Sequence, residues 1–175
     1  MNFRKHALIL EVINGLKTSK SWTGKTHVQK TMFLVNEATS IQVPFEFVLY
    51  KHGPYSFDIE TELEQMKSYS GISVQPVSSY GVELKPSDNA DLIRSLAPLT
   101  PLEKESIDKI CLFVGNKGVV ELERLATAVW IRRRERVTDP HEVARRVNGL
   151  KPHISLAEAI EADSIVTADL KLRPN

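Results

Sequence analysis

Along Phe45–Ser56, FEFVLYKHGPYS, Phe45, Phe47 and Leu49 alternate with Glu46 and Val48, the period of a strand with one buried face. Gly53 accepts a positive φ, and Pro54 keeps the residue before it out of the right-handed helical region, so the chain is expected to turn at this pair. Ser56 then fits a helix N-cap with Asp58 in the first turn, and Ile59, Leu63 and Met66 form an apolar stripe at i, i+4, i+7. Before this unit, Leu8, Val12 and Leu16 predict a first helix from about Phe3 to Leu16 that ends at Gly15. Val28, Met32 and Val35, widened by Phe33 and Leu34, predict a second, well-buried helix after a polar connection over 18–24. After the third helix, ISVQPV, the turn residues Ser78, Ser79, Tyr80 and Gly81, and VELK read as a β-hairpin. Pro76 places its first arm at an edge.

From Ser87 onward the pattern is helical. Thr100-Pro101-Leu102-Glu103, Asp139-Pro140-His141-Glu142 and Ser155-Leu156-Ala157-Glu158 each set an N-cap residue three positions before a glutamate, which marks three helix starts independently of periodicity. Ile107, Ile110, Cys111 and Val114 stripe one of these helices, which ends near Gly115. Val119, Leu122, Leu125, Ala126 and Val129 stripe the next, closing on Arg132, Arg133 and Arg134; Val143 and Val147, then Ala159, Ile160 and Val166, stripe the last two. The expected fold class is mainly α (α+β). Residues 1–86 form a winged-helix-like core with a small β-hairpin, and 87–175 a helical bundle packed against it as one unit.

Composition narrows the functional classes. Twenty-three Lys and Arg against twenty-two Asp and Glu provide no global field for nucleic acid or acidic membranes, and the single cysteine, Cys111, excludes an internal disulfide. The start, MNFRKHALILEVING, is too short and too polar for a signal or spanning helix, so a cytoplasmic location is expected. Neither a catalytic constellation nor a metal or cofactor motif stands out. Gly24-Lys25-Thr26 ends like a phosphate-binding loop but has Ser19 where that motif needs glycine, and the five histidines show no ligand spacing. His52 is the one candidate general base, with a hydrogen-bonded turn residue as the plainer role; Cys111 reads as core.

Charge decides between partners. The third helix carries Asp58, Glu60, Glu62 and Glu64 against Lys67 alone, a net of minus three, which repels phosphates. Basic residues collect elsewhere: Arg4, Lys5, Lys17, Lys20, Lys25 and Lys30 early, and Arg132, Arg133, Arg134, Arg136, Arg145 and Arg146 late. A protein partner is therefore the first expectation, and duplex binding through Arg132, Arg133 and Arg134 the alternative.

Two motifs carry a family resemblance. Lys25, Val28, Gln29, Lys30 and Phe33 look like a K-x-x-L-Q-K-x-x-[FY] helix, with Val28 for the usual leucine, and Tyr50–Ser56 like an aromatic-then-GPYS turn. Together with VELERLATAVWIRRRE and LKPHISLAEAIEA they make the chain resemble the YwgA-like proteins, relatives of the SocA-like antitoxin (Panacea domain) group. The resemblance implies a helical protein with a winged-helix-like core and no established enzymatic activity. Members of the wider group neutralise toxins by direct contact, so it also implies a toxin-like or regulatory protein partner. The residues expected to meet that partner are Lys25, Gln29, Lys30, His52, Gly53, Pro54, Tyr55, Ser56, Glu60 and Glu64. Several of them could equally lock the second helix against the turn, with Gln29 or Lys30 bonding backbone carbonyls near Pro54.

Overall fold

The computed structural model describes residues 2–77 and 81–170; Ser78, Ser79 and Tyr80 of the expected hairpin turn lie outside the described residues. Among the described residues the chain forms eight helices and two two-stranded antiparallel sheets, a mainly α (α+β) protein. In order, α1 (Phe3–Thr18) and α2 (Lys25–Ala38) precede a short hairpin of β1 (Val48–Tyr50) and β2 (Gly53–Tyr55). Then come α3 (Phe57–Ser68), a second hairpin of β3 (Ile72–Val77) and β4 (Gly81–Pro86), and α4 (Ala90–Leu96). The remaining helices are α5 (Pro101–Val114), α6 (Val119–Arg134), α7 (Pro140–Leu150) and α8 (Leu156–Asp169).

The marked helix starts form as their caps require. Thr100 with Glu103 and Ser155 with Glu158 are reciprocal capping boxes, and the Asp139 side chain accepts from the Glu142 N–H at 2.8 Å. Ser56 likewise caps α3, accepting from the Ile59 N–H, and Ile59, Leu63 and Met66 are fully buried below it. The stripes of α1, α2, α5, α6, α7 and α8 meet in one hydrophobic core to which both halves of the chain contribute: α1 packs on α5, and α2 lies against α5 and α6. Phe33 of α2 packs edge-on to Phe47 and stacks against Trp130 of α6.

Four local expectations are corrected by tertiary contacts. Gly15 does not end α1, which continues to Thr18; it sits inside the helix, where a β-carbon would come within 2.7 Å of Cys111 Sγ. Gly53 and Pro54 are not the reversing pair. Lys51 and His52 make the reversal, and Gly53, at φ +83°, supplies the left-handed residue that closes such a loop and starts β2, with Tyr50 opposite Gly53 and Leu49 opposite Pro54. The strand over 45–50 pairs only from Val48, although Phe45 and Phe47 are buried and Glu46 and Val48 exposed as the alternation requires. Ile160 is exposed on α8 rather than part of its stripe. The helix α4 has no capping box, since no Glu or Gln stands three residues after its N-cap Asn89, whose side chain donates to the Tyr69 carbonyl instead of capping the helix.

Gly15→Ala is expected to destabilise the protein by about 1–3 kcal/mol through overpacking against α5, although alanine is intrinsically the better helix former by about 1 kcal/mol. Urea denaturation measures it, and a more stable variant would show that α1 and α5 are not held this close.

Candidate functional site

The first hairpin is too small to hold itself together, because two three-residue strands leave most of their backbone polar groups without partners. Side chains from elsewhere supply them. Gln29 on α2 makes a two-way bond with Ser56, donating from Nε2 to its carbonyl and accepting its N–H at Oε1, both at 2.9 Å. Lys30 Nζ donates to the Pro54 carbonyl at 2.7 Å. Lys151, just beyond α7, donates to the Tyr50 carbonyl at 2.9 Å and also to that of Lys51. Gly53 permits this docking: a β-carbon there would meet Thr127 Oγ1 of α6 at 3.1 Å.

Beneath the hairpin the anchors form a charged cluster. Lys30, Lys151 and Glu123 are all buried, at 2%, 5% and 4% exposure. The Glu123 carboxylate lies 3.5 Å from Lys151 Nζ, 3.6 Å from His153 Nε2 and 3.7 Å from His52 Nδ1, distances of ion pairing with no hydrogen bond to Oε1. Among the described residues no carboxylate comes within ion-pair distance of Lys30. Burial pushes its ammonium down from 10.5 to about 8; Glu123 opposes that fall and Lys151 adds to it.

The hairpin's outer side is aromatic. Tyr50, Tyr55 and Phe57 contact one another with ring centroids 5.1–5.8 Å apart, while Tyr50 and Phe57 remain 50% and 58% exposed. Next to them a pocket of about 190 Å³ opens between the start of α2 and the hairpin, lined by Lys25, Thr26, Gln29, Lys30, Tyr50, Lys51, His52, Gly53 and Tyr55.

The structure thus brings Lys25, Gln29, Lys30, His52, Gly53, Pro54, Tyr55 and Ser56 together, with Glu60 and Glu64 at the margin. Gln29 and Lys30 act on the backbone around Pro54, and Lys25 bonds Glu60 and, at 3.1 Å, Glu64. His52 does not hold the turn through its side chain, which is 74% exposed. The acidity of α3 proves largely answered by neighbouring groups, and one of its carboxylates is internal. Glu62 is buried against His6 Nε2 at 2.6 Å, with Tyr69 on the other ring nitrogen, and Lys5 bonds Asp58 at 3.1 Å. Glu62 therefore contributes no surface charge, and Lys5, Lys25 and Lys67 answer most of the rest.

Arg132, Arg133 and Arg134 stand apart from this site, near the end of α6. Arg132 forks onto Asp163, Arg133 Nε donates to the Glu37 carbonyl, and Arg134 bonds the buried Glu37 carboxylate. Sequence reasoning did not reach Glu123, Lys151, or Phe57 as part of the exposed aromatic cluster. A glutamate on a helix and a lysine just past a helix end look like ordinary surface residues, while Phe57, directly after a cap and off the Ile59–Leu63–Met66 stripe, was legible as an exposed aromatic. Among the described residues, no group of three His, Cys, Asp or Glu side chains could hold a metal ion, and no helix is long and apolar enough to cross a membrane.

No family model matches the chain, and no curated protein is significantly similar to it.

Two outcomes follow from the anchors. Gln29→Ala, which strands the buried N–H and carbonyl of Ser56, is expected to cost about 2–4 kcal/mol by chemical denaturation and to speed amide exchange at Ser56. Lys30 binds fewer protons in the folded than in the unfolded chain between about 8 and 10.5. Its penalty is therefore complete below that window and relieved through it, so stability rises with pH there. Urea midpoints for wild type and Lys30→Met should diverge in favour of wild type by roughly 2–3 kcal/mol from neutral pH to the top of the window; parallel curves would mean that Lys30 is solvated.

Proposed function

We propose that this is a non-catalytic interaction or regulatory protein, antitoxin-like in mode, that binds a protein partner through the outer side of the β1–β2 hairpin and the first turn of α3. One observation carries the reading: Tyr50 and Tyr55 of the hairpin and Phe57 at the start of α3 form an exposed aromatic cluster, and the hairpin backbone is clamped from behind by Gln29, Lys30 and Lys151. Large rings that keep contact area while losing little conformational freedom are the residues that anchor protein interfaces. Charge on α3 does not define the surface, because Glu62 is internal and Lys5 and Lys25 pair with Asp58, Glu60 and Glu64. The YwgA-like resemblance supports the same reading and makes a toxin-like protein, encoded beside this chain, the first partner to try.

A winged-helix DNA-binding role has less support. Arg132 and Arg134 pair with the buried carboxylates of Asp163 and Glu37, which leaves Arg145 and Arg146, each in a surface pair, as the more exposed cations of this region.

Affinity capture from the native cells, with neighbouring genes expressed, is expected to return a stoichiometric protein partner with wild type. The Tyr50→Ser/Phe57→Ser variant should lose it while unfolding within about 1 kcal/mol of wild type, since both side chains are half exposed. Recovery of wild type alone, or equal capture by the variant, would overturn the proposal; a duplex titration that weakens steeply with salt would favour the DNA-binding role instead.

A further inference from the structure

We propose that the pocket between the start of α2 and the β1–β2 hairpin is a binding site for a small organic carboxylate, received by Lys30 and flanked by the rings of Tyr50 and Tyr55. The inference does not depend on the protein-partner reading.

The charge balance under the pocket is uneven. Two buried ammonium groups, Lys30 and Lys151, share one buried carboxylate, Glu123, and the geometry assigns that carboxylate to Lys151. A buried charge left without a counter-ion is costly, and folded proteins ordinarily pair it. Lys30 has three N–H donors; one goes to Pro54, and the other two have no partner among the described residues. Lys30 also lines the pocket, so an anion entering it would supply the missing counter-ion.

The other lining groups indicate what kind of anion fits. No carboxylate lines the pocket, while Lys51 and His52 lie exposed at its rim. Lys25 is already answered by Glu60 and Glu64. One spare buried charge suits a monoanion better than a phosphate dianion. Gln29 is held by Ser56 through Oε1 and one Nε2 hydrogen, leaving a single neutral amide hydrogen that adds no charge to the lining. The two tyrosine rings, 5.7 Å apart, and the lysine stems provide apolar walls. The volume of about 190 Å³ is roughly six times that of a water molecule and so admits a small organic acid. That carboxylate could belong to a free acid or to the end of a peptide chain.

NMR of the full chain with isotope-labelled lysine, the Lys30 signal assigned by its loss in Lys30→Met, tests the site near neutral pH. The probes are benzoate, benzamide, N-acetylphenylalanine, its amide, and inorganic phosphate. At least one carboxylate is expected to saturate Lys30 with a Kd about tenfold or more below that of its amide, and below that of phosphate. Tighter binding of N-acetylphenylalanine identifies a chain end as the source, and tighter binding of benzoate a free acid; either supports the site. Saturation should also raise the Lys30 pKa by about one unit or more. The titratable groups facing it, Glu123, Lys151, Lys25, Lys51, His52, His153 and Tyr55, are the same with and without probe. Lys30→Met should abolish binding. No saturation, equal binding of acid and amide, phosphate binding as tightly as the acids, or binding that survives Lys30→Met would overturn the proposal. Should Lys30→Met fail to fold, the wild-type signal, assigned through Lys30→Arg, decides: an unmoved Lys30 titration under saturating acid overturns it.

Discussion

Buried donors reaching for backbone carbonyls hold one end of this molecule in shape. The β1–β2 hairpin is too short to be stable by its own ladder, so its position is set by what Gln29, Lys30 and Lys151 do to the chain from Tyr50 to Ser56. These residues come from α2 and from the segment after α7, which are far apart in sequence. The complete clamp on the hairpin therefore draws on both halves of the chain, which share one core. Gly53 completes the arrangement, because its left-handed φ and missing side chain let the turn lie directly on α6.

Two functional properties follow from that clamp. Rings on a hairpin held this firmly, Tyr50 and Tyr55 with Phe57 at the start of α3, are presented to solvent in a fixed arrangement, which lowers the entropy lost when a partner covers them. The clamp also places ammonium groups where water is scarce. Lys151 lies within ion-pair distance of Glu123, whereas Lys30 touches only a carbonyl and feels Glu123 from farther off, and this inequality makes the neighbouring pocket attractive to an anion. Opposite charges elsewhere are matched internally: Lys25 with Glu60 and Glu64, Arg132 with Asp163 and Arg134 with Glu37. Neither the acidic run on α3 nor the arginine run on α6 survives folding as a surface of one sign.

Much of the fold was legible because its signals are local. A cap residue and its glutamate lie three positions apart, so Thr100–Glu103 and Ser155–Glu158 announce helix starts whatever else the chain does. Apolar stripes on α2, α3 and α5 are equally local, and all of them are buried. The candidate site was half legible. Gln29 and Lys30 stood beside the Gly-Pro segment as possible anchors, and they do bond its backbone, but nothing near them in sequence pointed to Lys151 or Glu123. Gly15 looked like a helix end because the neighbour that requires it, Cys111, is nearly a hundred residues away.

Residue order alone therefore determined where helices begin, which faces are apolar, and that the segment from Phe45 to Ser56 must run as strand, reversal and cap, since each depends on residues a few positions apart. Only the tertiary structure decided which charges remain for a partner. An ion's surroundings depend on what the fold carries to within a few ångströms, and that proximity turned Glu62 inward, bound the arginines of α6, and left Lys30 with a carbonyl where a carboxylate would be expected.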